Sequence, residues 1–158
     1  MNKIDIIRIL KYEPSAIAKV SGSRQYPDVK GTVRFYQTAV GVVVAADIYG
    51  LPESNEACGG AIFAFHIHEG GSCSENGTEP FPNSMSHYNP HNCPHPYHAG
   101  DMPPLFGSNG IAYSVFLTNR FSVREIMGKT VIIHMGPDDF TTQPSGNSGS
   151  KIACGVIM

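Results

Sequence analysis

Apolar and polar residues alternate along much of this chain, so that side chains two positions apart share a face. This period is typical of β-strands that bury one side against a core. The pattern predicts about eight strands, with no helical period of useful length between them. The predicted strands are residues 16–22, 31–37, 40–48, 63–68, 111–118, 130–134 and 152–158, with a short strand or a connector at 121–127.

The connections between these strands indicate how they are arranged. The first three strands follow one another after short turns, as in an antiparallel meander. Later connections are long, and the 17 glycines and 12 prolines supply many turns. We therefore predict an all-β fold, an eight-stranded Greek-key sandwich or flattened barrel with two long functional loops. It would form one domain at residues 15–158, behind an N-terminal extension at residues 1–14 that is a further strand or a loose tail.

The net charge and the hydropathy of the chain limit which kinds of binding partner it can have. The formal net charge is -2 at pH 7, without a basic run, which predicts no nucleic-acid partner. No apolar run approaches the length of a membrane span, so no membrane partner is expected. The first eleven residues are interrupted by Asp5 and Arg8 and lack a cleavage site for a signal peptide. A cytoplasmic location is therefore predicted, and a trimmed chain would leave secretion or the periplasm open.

Two histidines on a predicted strand are the first candidate for chemistry. His66 and His68 alternate with Phe65 and Ile67, so both imidazoles face away from the core. Such a pair can bind a borderline metal such as copper or zinc. Alone it is more often a surface or hydrogen-bonded pair, so a metal site requires further ligands.

Further histidines follow in a proline-rich stretch at residues 87–101. Its prolines and lack of periodicity predict a long loop, and loops of this length are usually functional or disordered. Histidines at close spacing that end in Asp101 favour a tetrahedral zinc site. The last histidine, His134, ends an apolar strand and alone would be an ordinary strand-end residue.

Taken together, these segments resemble copper/zinc superoxide dismutase. The resemblance runs from about residue 60 to the end of the chain, and the earlier strands fit the family's opening meander more loosely. It is specific because the ligand-type residues stand in the family's order on the expected strands and loops. The matching residues are 65–69, 87–90, 95, 98–101, 128–134 and 146–157.

The resemblance implies two metal sites that share one histidine. Asp138 would link a copper-ligand histidine to a zinc-ligand histidine, whereas His91 has no place in the family's set. The implied copper ligands are His66, His68, His87 and His134, and the implied zinc ligands are His87, His95, His98 and Asp101.

The cysteines contain no Cys-x-x-Cys motif, and free thiols are the default in a cytosolic chain. The resemblance implies instead a disulfide between Cys73 and Cys154, which this family keeps even in reducing cytosol and which is worth roughly 4–5 kcal/mol by the chain-entropy estimate. For Cys58 and Cys93, a second disulfide and two free thiols both remain open. Cys93 as a soft zinc ligand is a weaker alternative, since the family's zinc site is complete without it.

The implied activity is conversion of superoxide to dioxygen and hydrogen peroxide, with copper cycling between Cu(II) and Cu(I). His87 would leave copper and take a proton during the cycle, while zinc would be structural. The second catalytic residue is Lys151, which stands where the family has an arginine beside the copper channel. Lysine is a flexible point charge rather than a rigid fork, so a slower but active enzyme is expected.

Two further features of the loops bear on rate and assembly. Residues 135–150 contain almost no lysine or arginine, which predicts weak electrostatic steering of the anion. The connection from Cys73 to His87 is long for the family and lies where subunits commonly meet. The sequence therefore leaves open whether the protein forms a homodimer.

Two other functions remain. A non-catalytic copper/zinc-binding or structural protein could retain the fold; Lys151 favours this weakly, and the complete copper ligands argue against it. A zinc hydrolase would need an open zinc position and a carboxylate base, for which Glu69 is the obvious candidate. That function would leave three histidines unexplained.

Overall fold

The computed structural model describes residues 5–53 and 61–158, and this part of the chain is almost entirely β. It contains two four-residue helices, α1 (Ile6–Ile9) and α2 (Val123–Ile126), and a 3-10 turn at Pro82–Ser84. Neither helix has the length or apolar character needed to cross a membrane. The strands are β1 (Ala16–Gly22), β2 (Lys30–Thr38), β3 (Gly41–Tyr49), β4 (Ile62–Phe63), β5 (Phe65–His68), β6 (Leu105–Phe106), β7 (Ile111–Thr118), β8 (Thr130–His134) and β9 (Lys151–Val156).

Seven strands form one curled antiparallel sheet in the order β5-β8-β9-β1-β2-β3-β7, and β4 pairs with β6 in a separate ribbon. The first three strands are a meander, as predicted. The last strand, β9, returns to lie between β8 and β1, so the two ends of the chain's β-structure are neighbours. The curled sheet forms a half-barrel, which confirms the all-β Greek-key prediction.

The start of the described chain is helical rather than a strand or a tail. The carboxylate of Asp5 accepts a hydrogen bond from the Arg8 backbone N at 3.1 Å and so caps α1. Ile6 and Ile9 then pack with Val43 of β3 on the outside of the sheet. This helix is thus packed against the sheet, and the domain boundary at residue 15 remains a prediction.

The segment at 121–127, predicted as a short strand or a connector, contains α2. Glu125 accepts hydrogen bonds from the backbone N of Ser122 at 2.7 Å and from its hydroxyl at 2.6 Å. This reciprocal capping box starts a single helical turn. Val123 and Ile126 are buried, so the apolar residues that suggest a strand in the sequence instead face the core from a helix.

The strand with the first histidines is split at Ala64 into β4 and β5. Phe65 and Ile67 are fully buried in the barrel core, and the histidines face the other side, as the alternation predicted. Isolated antiparallel β-bridges pair His66 of β5 with Asp101, and His68 of β5 with His87. The two ends of the loop at residues 87–101 therefore lie beside β5.

A disulfide joins the long connection after β5 to the last strand. Cys73 and Cys154 are bonded, with an S–S distance of 2.07 Å and a separation of 81 residues in the chain, which confirms the predicted pair. Among the described residues, Cys93 has no disulfide partner. Cys58 lies outside the described residues, so its state remains a prediction.

Candidate metal centre

Two groups of buried, metal-binding side chains lie side by side and share His87. Within each group the candidate ligand atoms all lie within 4.8 Å of one another. We call them the four-histidine group and the aspartate group. The four-histidine group is His66, His68, His87 and His134, and the aspartate group is His87, His95, His98 and Asp101.

In the four-histidine group, backbone carbonyls determine which nitrogens are free. Nδ1 of His68 donates to the Met85 carbonyl at 2.7 Å, and Nδ1 of His134 donates to the Gly149 carbonyl at 3.2 Å. The protons therefore reside on Nδ1, and the two Nε2 atoms carry lone pairs. These two Nε2 atoms lie 3.3 Å apart, which suits two ligands of one cation.

Within residues 5–53 and 61–158, three buried ring nitrogens have no hydrogen-bond partner: Nδ1 of His66, Nε2 of His87 and Nδ1 of His95. Buried polar atoms are rarely left unpaired, because each such atom costs free energy. All three belong to the two groups. Unpaired nitrogens in two adjoining groups are the donors that a pair of metal ions would require.

The aspartate group has three imidazoles and one carboxylate. Oδ1 of Asp101 lies 2.8 Å from Nδ1 of His87, and Oδ2 lies 3.1 Å from Nδ1 of His95. Nδ1 of His98 lies 3.4 Å from the same Oδ2. Three nitrogens and one oxygen converging in a buried site are a donor set for tetrahedral zinc.

Asp138 connects the two groups without belonging to either. Its Oδ2 accepts from Nε2 of His66 at 2.7 Å, and its Oδ1 accepts from Nε2 of His95 at 2.8 Å. The Phe140 backbone N donates to Oδ1 at 2.7 Å. The carboxylate thus orients one ring in each group.

Burial keeps these rings in the form that binds metal. It lowers the pKa of His66 and His98, lowers the pKa of His68 well below its usual value, and lowers that of His134 to about 3. Burial would raise the pKa of Asp101, but the hydrogen bond with His87 lowers it instead. Neutral imidazoles beside an ionised carboxylate are ready ligands.

A cavity of about 430 Å³ opens from the four-histidine group to the surface. His68, His87 and His134 line this cavity, and Lys151 is also in its wall. The Lys151 ammonium donates to the Phe81 carbonyl at 3.2 Å, and burial lowers its pKa. A small anion that entered this cavity would meet the lysine beside the histidines.

The carbonyls of Met85 and Gly149 were not found by sequence reasoning, since any residue supplies a carbonyl. The structure also places two residues of the sequence analysis outside the groups. His91 is exposed. Cys93 belongs to neither group of described ligands, which argues against it as a zinc ligand.

Comparison with known proteins adds to this geometry. Residues 29–157 match the sequence profile of the family described as copper/zinc superoxide dismutase (SODC). The chain belongs to this family. The recognition made from the sequence is confirmed, and so are the predicted cofactors, since the two groups supply donors for the family's copper and zinc.

The three relatives named here cover between 82% and 99% of this chain. One, named superoxide dismutase [Cu-Zn] 2, from Aquifex aeolicus, is 34% identical over 145 residues, covering 82% of this chain and 80% of the relative. The superoxide dismutase [Cu-Zn] of Legionella pneumophila is 33% identical over 172 residues and covers 99% of both chains. A mouse relative named extracellular superoxide dismutase [Cu-Zn] is 32% identical over 160 residues, covering 92% of this chain and 61% of the relative.

Proposed function

We propose that this protein dismutates superoxide, with copper held by the four-histidine group, zinc held by the aspartate group, and His87 shared between them. The observation that carries the proposal is that His87 belongs to both groups. Its Nδ1 is in contact with Asp101, whereas its Nε2 is buried and has no hydrogen-bond partner in the described part of the chain. One ring thus has a separate nitrogen for each metal.

The donor types support this assignment of metals. Four imidazoles suit copper, and three imidazoles with a carboxylate suit zinc. When bound, copper supplies a centre that accepts and returns one electron. Zinc would have all four positions filled by His87, His95, His98 and Asp101, so its role is structural.

The chain's own residues then handle the substrate and the proton. Lys151 attracts the superoxide anion into the cavity that it lines with His87. Two superoxide ions and two protons give one dioxygen and one hydrogen peroxide. His87 lines the same cavity; its Nε2, when not held by copper, would take up one proton and give it to the reduced oxygen species, and water would supply the other.

One observation favours a second candidate, a non-catalytic copper/zinc-binding protein. The Lys151 ammonium already donates to the carbonyls of Phe81 and Met85, at 3.2 and 3.5 Å, and lies 4.0 Å from a carboxylate oxygen of Glu79. These contacts compete with an incoming anion. We favour the enzyme, because the copper donors are complete and reached by an open cavity.

The contacts of Glu69 argue against the zinc hydrolase. Its carboxylate accepts a hydrogen bond from the Lys129 ammonium at 2.6 Å, and Glu69 is not among the residues lining the cavity. A base held in an ion pair away from the metal groups is poorly placed to activate water. The cytoplasmic location and the homodimer remain predictions.

Stopped-flow decay of superoxide tests the proposal. Protein loaded with copper and zinc is compared with protein loaded with zinc alone, and His134→Ala, which removes a copper donor, serves as a second control. We expect fast decay that depends on copper and is largely lost in the variant. Decay at the buffer rate, with copper shown to be bound, would support the non-catalytic protein.

A further inference from the structure

Two side chains outside both metal groups contact the backbone of the loop that carries the aspartate group. We call residues 87–101 the zinc loop. It holds four donors but no regular strand or helix, and its bridges to β5 are at its two ends, His87 and Asp101. Contacts from other segments therefore decide how well the donors are placed.

Gln143 holds the zinc loop from one side. Its Oε1 accepts from the His95 backbone N at 2.9 Å, and its Nε2 donates to the His95 carbonyl at 2.7 Å. One side-chain amide thus satisfies both backbone groups of a single residue. This two-point contact fixes the backbone of His95, while Asp138 fixes its ring.

Arg120 holds the same loop from the connection between β7 and α2. Its Nη1 donates to the carbonyls of Pro96 at 2.8 Å, His98 at 3.2 Å and Asp101 at 3.3 Å. A single guanidinium nitrogen therefore donates to three backbone carbonyls in the segment from Pro96 to Asp101. Two of these carbonyls belong to members of the aspartate group itself.

We propose that Arg120 and Gln143 are positioning residues that keep the zinc loop in its ligating shape before zinc arrives and thereby set the zinc affinity. The inference rests on the proposed zinc assignment. If the loop were unrestrained, ordering it would oppose metal binding by the conformational entropy of several residues. Since neither residue donates to the metal, their effect acts through the backbone alone.

Zinc titration of the metal-free protein against a competing chelator tests this inference. The variants are Arg120→Met and Gln143→Met, which keep side-chain bulk and remove the hydrogen bonds. Matched controls are Arg124→Met and Gln25→Met, which change exposed residues of the same types. Thermal unfolding of each metal-free variant is measured in parallel, because it reports general damage to the fold.

Each test variant is expected to bind zinc about tenfold more weakly, and the double variant roughly 100-fold, as for other partners that orient metal ligands. The metal-free unfolding midpoints should match those of the controls. Unchanged zinc affinity in both variants would overturn the inference, and so would a loss of affinity that merely follows a lower unfolding midpoint. If the unaltered protein bound zinc no better than His98→Ala, the zinc assignment itself would fail.

Discussion

His68 and His134 direct their Nε2 atoms at each other across 3.3 Å. Because each ring donates its Nδ1 proton to a backbone carbonyl, the facing nitrogens both present lone pairs. Without a cation between them, such an arrangement is unfavourable, and protonating either ring would require charging a buried imidazole. The pair therefore makes the fold sensitive to both metal and pH.

The first prediction concerns acid stability of the metal-free protein. The pKa of His134 is about 3 and that of His68 is well below its usual value, whereas both would be near 6.5 in the unfolded chain. Below that pH, the unfolded chain binds protons that the folded chain does not, so the free energy of unfolding must fall as pH falls. The fall should approach about 1.4 kcal/mol per pH unit for each such histidine.

Urea unfolding between pH 7 and pH 4 measures this slope. In His134→Gln the slope should be smaller, because one titrating group has been removed. His91→Gln changes an exposed histidine and serves as the matched control for the substitution. A flat dependence on pH in the unaltered protein would contradict the buried, neutral state of these rings.

The second prediction concerns Gly146, which leaves room for Asp138. A Cβ at this position would overlap Oδ1 of Asp138 and lie 2.7 Å from Nε2 of His95. Gly146→Ala should therefore disturb the hydrogen bond that orients His95 and weaken zinc binding about tenfold. Zinc titration of the metal-free variant measures the effect.

Gly128→Ala is the matched control for Gly146→Ala. Both glycines have positive φ, +69° and +78°, so both substitutions carry the same backbone cost. At Gly128, however, an added Cβ would meet no atom within 4 Å. Equal zinc affinity in the two variants would show that the space beside Asp138 is unimportant.

The third prediction concerns Lys151. Arginine presents a rigid fork of donors, whereas the lysine ammonium is a point charge that here donates to carbonyls. Lys151→Arg should raise kcat/KM for superoxide severalfold at low salt, and Lys151→Met should lower it. The control is Lys19→Arg, an exposed lysine on β1. A Lys151→Arg variant no faster than the unaltered protein would contradict the expectation that a rigid fork of donors binds superoxide more productively than the lysine ammonium.

Periodicity predicted the parts of the fold in which burial on one face decides the structure. It located β1 to β3, β7 and β8 closely, and it placed His66 and His68 opposite Phe65. The same rule failed at α2, where Val123 and Ile126 are buried by one helical turn that a capping box begins. A Ser-x-x-Glu spacing at residues 122–125 was the available signal.

The candidate site was predicted only in part, for a similar reason. Side chains with metal chemistry, such as His87 and Asp101, can be recognised in a sequence. The carbonyls of Met85 and Gly149 cannot, because every residue has one and only the folded chain selects which of them faces a histidine. The same holds for Gln143 and Arg120, whose contacts are with backbone atoms that are distant in sequence.

The central claim is that the two nitrogens of His87 serve two metals. Electron paramagnetic resonance of the protein with Cu(II) at the four-histidine group and Co(II), a paramagnetic ion, in place of zinc tests it most directly. If the ring joins the ions, their spins couple through it, and the copper signal seen with zinc should be lost or strongly broadened. A copper signal of unchanged shape and intensity, with both metals shown to be bound, would contradict a shared His87.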